Sequence, residues 1–372
     1  MPPAQRPQSP TSPSPGPGLR LGALLAVGLL LAGCGLRLET PHPDPLEPDA
    51  VETVRQRTTA DAVALGALAR RTDPEGEAAA ETALEQVVED SQAHVEALGG
   101  VYDPGPGYAP TALPPGGVDQ DGAVDQDGTG AQNGTEGGGD TEDAEDVEDV
   151  PEALPGTLED LTALLSQTAA TARADVLEVE DGDLARLLAS IATSRLLLAE
   201  ALAGAAPAAD GPPPGAEELE PFAVPEELPS GLTAADVTVL VRSEDAAGYA
   251  WEVLAARSSE AARSTAARRA ALHRERAEAW AQAGALSGTG IDPRRNVYAL
   301  PETLTATEDL TAARAALGQV EEGLSRTYAT LVATVGLEDR PAMLAGLTDA
   351  ARASTAAGTT APTFPGLDGS EA

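Results

Sequence analysis

Three features of the chain predict an all-α fold. Phe, Trp and Tyr together make up 2% of the residues, which leaves little of the aromatic material that strands draw on. Apolar side chains recur at helical spacing through three separate zones. Capping pairs, glycines and prolines punctuate those zones where helices would start and stop. The predicted architecture is a C-terminal four-helix bundle, preceded by a second helical module that a long acidic insert interrupts.

The first element is a leader. Arg6 and Arg20 precede a greasy run from Leu21 to Ala32, too short for the ~20 apolar residues of a membrane-spanning helix. A charged region followed by a short apolar core has the order of a secretory signal. It ends in Leu31-Ala32-Gly33-Cys34, and Cys34 is the only cysteine. That tetrapeptide resembles a bacterial lipobox. The resemblance implies cleavage after residue 33, diacylation of the Cys34 thiol and attachment to the outer face of the cytoplasmic membrane. Acyl chains contribute about 0.8 kcal/mol per buried CH₂, so two or more anchor stably. Residues 34–48 then form a proline-rich tether, with His42 solvated among the prolines.

The N-terminal helical module spans 49–99 and 157–204. Its first part, "PDAVETVRQRTTADAVALGALARR", breaks at Asp73-Pro74, and the second, which carries His94, stops at Gly99-Gly100. His94 follows Glu89 and Asp90 and reads as part of a solvated face. Residues 100–156 are rich in Gly and acids, with no arginine between Arg71 and Arg173. Such a composition predicts disorder, because too little apolar surface is available to offset the ordering entropy. "VDQDG" occurs there twice, but the later bidentate Glu and flanking helices of a calcium loop are missing. A capping box, Thr157-x-x-Asp160, restarts the helices, which break again at Asp181-Gly182. Leu184, Leu187, Leu188, Ile191 and Leu198 line one stripe. The two halves of the module are expected to pack together, or else to form two separate hairpins.

A Pro-rich linker, 205–231, leads to the bundle at 232–367. Its first helix opens on Thr233-x-x-Asp236 and its third on Thr305-x-x-Glu308. Pro341 falls in the first turn of the fourth, where its missing N–H costs nothing. Between the second and third helices runs a longer crossover containing Tyr298, expected to pack onto the bundle.

Charge excludes one function class. The formal net charge is −37 and no lysine occurs. Nucleic-acid binding needs clustered cations to neutralise phosphates, and no basic stripe is evident. No catalytic fingerprint of a hydrolase, P-loop or dinucleotide-binding enzyme is present either.

The chemistry-bearing residues lie on the bundle's apolar stripes. The first helix puts Glu244 in line with Val237, Leu240, Val241, Trp251 and Leu254. The second puts His273 in line with Ala266, Ala270, Ala277 and Trp280. The third puts Glu321 in line with Leu317, Leu324 and Tyr328. Three helices thus aim Glu244, His273 and Glu321 at one core, where an unpaired carboxylate is costly.

The ordered pieces "EDAAGYAWEV", "HRERAEAW", "YALP", "VEEGLSRTYATLVA", "LTDAARAS" and "FPGL" resemble a ferritin-like domain of unknown function in actinobacterial proteins, many of them lipoproteins. The resemblance covers the last third of the chain and implies a ferritin-like bundle with an ancestral metal site. A working di-iron site needs two Glu and two Glu-x-x-His pairs. Here Asp245 follows Glu244, Ala270 stands three residues before His273, and Asp349-x-x-Arg352 has no histidine. Two metals cannot be held. A single transition metal ion on Glu244, His273 and Glu321 is the most that remains. The alternative is a hydrogen-bonded polar core, with Arg352 or another bundle arginine neutralising a carboxylate.

The expected function is that of a cell-envelope lipoprotein whose bundle is a non-enzymatic binding or scaffold module, with an envelope protein as partner, or a second copy of the chain. The alternative is a metal-binding redox protein.

Overall fold

Nine α-helices form among the described residues of the computed structural model, which are 48–74, 76–102, 156–205, 222–305 and 310–367. They are α1 (Ala50–Ala69), α2 (Ala78–Ala97), α3 (Leu158–Glu178), α4 (Gly182–Ala205), α5 (Ala234–Arg257), α6 (Glu260–Ala283), α7 (Glu302–Thr305), α8 (Leu310–Thr334) and α9 (Arg340–Ala356). Among these residues there is no strand, only an isolated bridge between Thr72 and Gly156. Cys34, His42 and both VDQDG repeats lie outside the described residues.

Local chemistry sets the helix ends. Thr157 caps α3 and Thr233 caps α5, each in a reciprocal box with the aspartate three residues on. Gly99 and Gly100 take φ of +86° and +84° just beyond α2, a conformation that glycine adopts without a Cβ clash. Pro341 sits in the first turn of α9, where no helical N–H partner is needed. The pair Thr305/Glu308 differs from expectation. Thr305 closes the short helix α7, Glu308 is outside the described residues, and α8 is described from Leu310.

Antiparallel pairs α1–α2, α3–α4, α5–α6 and α8–α9 are the building units. Leu65 of α1, Leu84 and Val87 of α2, Leu161 and Leu165 of α3 and Leu198 and Leu202 of α4 share one core. The helices on the two sides of the acidic insert therefore pack together. A second core joins Leu188 of α4 to Val241 of α5, Trp280 of α6, Val332 of α8 and Leu347 of α9. Helix α4 thus serves both cores. It alone among the described helices is long and apolar enough to cross a bilayer, yet 67% of its apolar window is buried inside this protein.

This shared packing alters the picture of two modules spaced by a linker. Phe222, at the linker's C-terminal end, is buried in the second core. Farther on, Ser230 donates from both its backbone N–H and its hydroxyl to Asp339, each at 2.8 Å.

His94 is also placed differently from the solvated face expected of it. It is 1% exposed. Its Nε2 lies 3.0 Å from the Thr363 carbonyl, and the Phe364 ring meets it edge-on at 5.1 Å. The Thr363 hydroxyl donates to Asp90 at 2.6 Å, and Gln86 donates to the Ala361 carbonyl at 2.7 Å. The segment 361–364 therefore docks along α2. Burial, reinforced by the nearby Arg195 cation, pushes the His94 imidazole down to about 3, so it is neutral in the fold at pH 7.

Arg195 is a further buried charge. It lies on the α4 stripe, fully enclosed. It donates to the Thr58 carbonyl at 3.0 Å and the Thr168 carbonyl at 3.3 Å, and it faces Asp61 at 3.7 Å. One cation thereby ties α4 to α1 and α3.

Candidate functional site

Between the α5–α6 and α8–α9 pairs, the bundle buries a polar chain. Glu244, His273 and Glu321 each have no exposed surface, and the structure brings all three together. His273 stands between the two carboxylates. Its Nδ1 is 2.6 Å from Glu244 Oε2 and its Nε2 is 2.9 Å from Glu321 Oε1. Both ring nitrogens face acceptors, so the doubly protonated imidazolium satisfies both. Burial opposes that charge, but Glu321 and Glu244 outweigh it and hold His273 above its usual range.

Each carboxylate has further donors. Glu321 accepts from Trp251 Nε1 at 2.7 Å. It also takes a two-pronged contact from Arg269, whose Nε and one terminal nitrogen each lie at 3.0 Å. Such a fork is among the stronger hydrogen-bonded pairings of a carboxylate. Although burial pushes Glu321 upward, His273 and Arg269 prevail and hold it at about 2. The remaining oxygen of Glu244 accepts from the Tyr328 hydroxyl, which in turn accepts from Trp280 Nε1 at 3.2 Å. Burial and the adjoining Glu244 carboxylate push the Tyr328 phenol far up, so it remains a donor.

Asp349 of α9 extends the chain. It accepts from Arg269 at 2.7 Å and from Arg276 at 2.6 Å. Burial raises it, but the two guanidinium groups overcome that and hold it low. Arg276 in turn stacks over Phe222, 4.6 Å from the ring centroid, and Phe222 meets Tyr328 edge-on at 5.2 Å. The charges balance: Glu244, Glu321 and Asp349 are matched by His273, Arg269 and Arg276.

Of the arginines expected to neutralise a carboxylate here, Arg352 or another of the bundle, it is the others that do so. Arg352 reaches Glu200 of α4 at 2.9 Å, while Arg269 and Arg276 do the neutralising. Both lie in register with His273, four residues before it and three after, so the sequence carried the signal. Helix α6 has few large apolar residues, so its stripe is marked mainly by alanines and does not by itself single out which arginine turns inward. Asp245, the neighbour of Glu244, has its own role. It is buried, and it accepts from Tyr298 at 2.7 Å and from the Arg295 amide at 3.1 Å. Those bonds fasten the crossover to α5, as expected of Tyr298.

The donor set can be tested against a metal. A single ion would need the imidazole lone pair and both carboxylates to converge on one point. Here the carboxylates sit at opposite nitrogens of His273, which separates them. Glu321 is capped by Arg269 and Trp251, and Glu244 by Tyr328. Among the described residues no three His, Cys, Asp or Glu side chains are grouped to hold a metal ion. This arrangement does not fit one.

Tyr328 lies flat against α9 because residue 346 is glycine. A Cβ there would fall 2.6–2.8 Å from three Tyr328 ring carbons. Since Tyr328 is wholly buried, the ring cannot swing away. Gly346→Ala is expected to destabilise the protein by about 1–3 kcal/mol, the usual cost of overpacking a core. A fall in the thermal unfolding midpoint checks this; an unchanged midpoint would show that the ring has room.

Residues 236–369 match the family model described as Domain of unknown function (DUF4439), an interval that includes every residue of this polar chain except Phe222. No curated protein and no solved structure matches the chain.

Proposed function

We propose that this chain is a lipid-anchored protein of the extracytoplasmic face of the bacterial cell membrane, whose C-terminal ferritin-like bundle is a non-enzymatic binding or scaffold module. The observation that carries the non-catalytic part is the closure of the polar core. Every oxygen of Glu244 and Glu321 already has a donor from this chain. A metal or a substrate would have to compete with a donor of this chain at each of these oxygens. A buried network whose carboxylates are all paired rigidifies a bundle and favours one packing. The rigid helical body would then present its outer faces to an envelope protein or to a second copy of itself. The anchor rests on Leu31-Ala32-Gly33-Cys34 after a signal-length apolar run.

The test has two arms. Protein purified without chelator should carry iron, manganese and zinc well below one equivalent. A stoichiometric metal that disappears in Glu244→Ala would overturn the closed-core reading in favour of a redox site. Cys34→Ala should move the protein out of the membrane fraction or leave its leader uncleaved; unchanged fractionation together with unchanged mass would remove the anchor.

A further inference from the structure

Beside the polar core, at the α7 end of the bundle, the facing surfaces of α6 and α9 are built from alanines. Ala262 and Ala266 stand opposite Ala353, Ala356 and Ala357. Side chains this small leave the helices unfilled between them, and an open cleft of about 470 Å³ results. That volume lies within the roughly 300–1,000 Å³ range of small-molecule sites. Trp251 and Leu254 of α5 supply its large apolar wall.

The polar lining is unusual for this chain. Arg269, Arg314 and Arg352 line the cleft and Asp349 is the single acid there, although acids outnumber bases 60 to 23 overall. The three arginines are not equivalent. Arg269 is committed to Glu321 and Asp349, which fixes it as part of the wall. Asp349 is itself paired through Oδ2 with Arg269 and Arg276, so its charge is offset within the wall. Arg352 shares only a partly exposed pairing with Glu200, of the kind that is worth little in water. Arg314 has no internal partner among the described residues, and it is exposed at the rim. Two guanidinium groups are therefore available at the mouth of an apolar cleft.

We propose that this cleft is a binding site for a small amphipathic organic anion. The apolar body would occupy the space between the alanine faces and Trp251. Its carboxylate would meet Arg314 and Arg352, whose planar forks suit a two-oxygen acid. The cleft adjoins the buried His273 network, whose Trp251, Arg269 and Asp349 form part of its wall, and the proposal does not depend on the membrane anchor.

Decanoate serves as the probe, with decanol as its uncharged counterpart, each titrated calorimetrically into the whole soluble protein with Cys34 replaced by Ala. Saturable one-to-one binding of decanoate is expected, with decanol at least about tenfold weaker, as the loss of a charge-assisted hydrogen bond implies. Arg314→Gln combined with Arg352→Gln should weaken decanoate about tenfold or more. Both residues are surface-lying, so the fold is expected to survive, and unchanged circular dichroism will show it. Ala353→Phe, which fills the cleft while leaving every arginine in the sequence, should abolish binding. Equal affinity for decanol, no effect of the arginine pair, or no saturable binding at millimolar decanoate would each overturn the proposal.

Discussion

Replacing Glu321 by glutamine is expected to destabilise the protein by about 3–5 kcal/mol, the cost of breaking one member of a buried charge cluster. Glutamine has nearly the same shape, so the loss is not one of volume. Glu321 accepts from Trp251, His273 and both prongs of Arg269. An amide can accept at only one of its two ends. Its NH₂ would face a guanidinium or an imidazolium, donor against donor. The cluster would then hold three cations against two anions, since His273 keeps Glu244 and Arg269 keeps Asp349, and one buried positive charge would go uncompensated. Denaturant titration followed by fluorescence reads the effect directly, since Trp251 is a partner of Glu321. The control is the pair Glu321→Gln with Arg269→Met. If the two residues act as a unit, the double variant is less unstable than the sum of the singles. Additive losses, or a loss under about 1 kcal/mol for Glu321→Gln alone, would show that the network is a minor contributor.

Acid sensitivity beginning well above the carboxylate range is the second expected result, and His94 is its source. Its folded value is about 3 against an ordinary 6.5. The folded imidazole is thus neutral where the unfolded one takes up a proton. The contribution is fully present above pH 6.5 and is lost as pH falls from there toward 3. Linkage gives about 1.4 kcal/mol for each pH unit below 6.5. From pH 7 to pH 4.5 the protein should lose roughly 2–3 kcal/mol through this residue. His273 does not mimic the effect. Its folded value is raised, so its contribution is complete below 6.5 and disappears only as pH climbs through the raised value. Glu321 and Asp349 are lowered, and their contribution is lost only below the ordinary carboxylate range. Asp90 and Asp175 are raised mainly by burial and act in the opposite direction. Comparing wild type with His94→Gln isolates the histidine. Glutamine can still donate to the Thr363 carbonyl, and the variant's stability should be flatter between pH 7 and pH 4.5. Parallel curves would mean that His94 is accessible to protons in the folded protein.

The helices were legible because period, caps and breakers agreed along most of the chain. Thr157/Asp160, Thr233/Asp236, Gly99-Gly100 and Pro341 all stand where the spacing put them. Glu244, His273 and Glu321 were legible for a related reason: each interrupts an apolar stripe. The same rule applied to α2 and α4 would have found two more residues. His94 continues the line of Leu84, Val87 and Ser91, and Arg195 continues that of Leu188 and Ile191. The acids that precede His94 in the sequence make it read as surface. Its partners come from residues 361–364, and nothing local announces a contact across so long a separation. Phe222 was hidden by its proline-rich surroundings, whose composition reads as a spacer even where the last few residues are packed. The pairing of Asp349 with Arg269 and Arg276 is a matter of tertiary register between α6 and α9, which helical period alone does not specify.

The docking of 361–364 on α2 bears on how the molecule is assembled. Its bonds join residues about 270 positions apart, such as Asp90 with Thr363 and His94 with Thr363. Loops of that length close late, since ordering entropy is spent before the contact forms. While the chain is being made, the α2 side of this contact must wait until residues 361–364 have been added. Residues 361–364 thus act as a latch, closing over α2 only after the helices that separate them in sequence have been made.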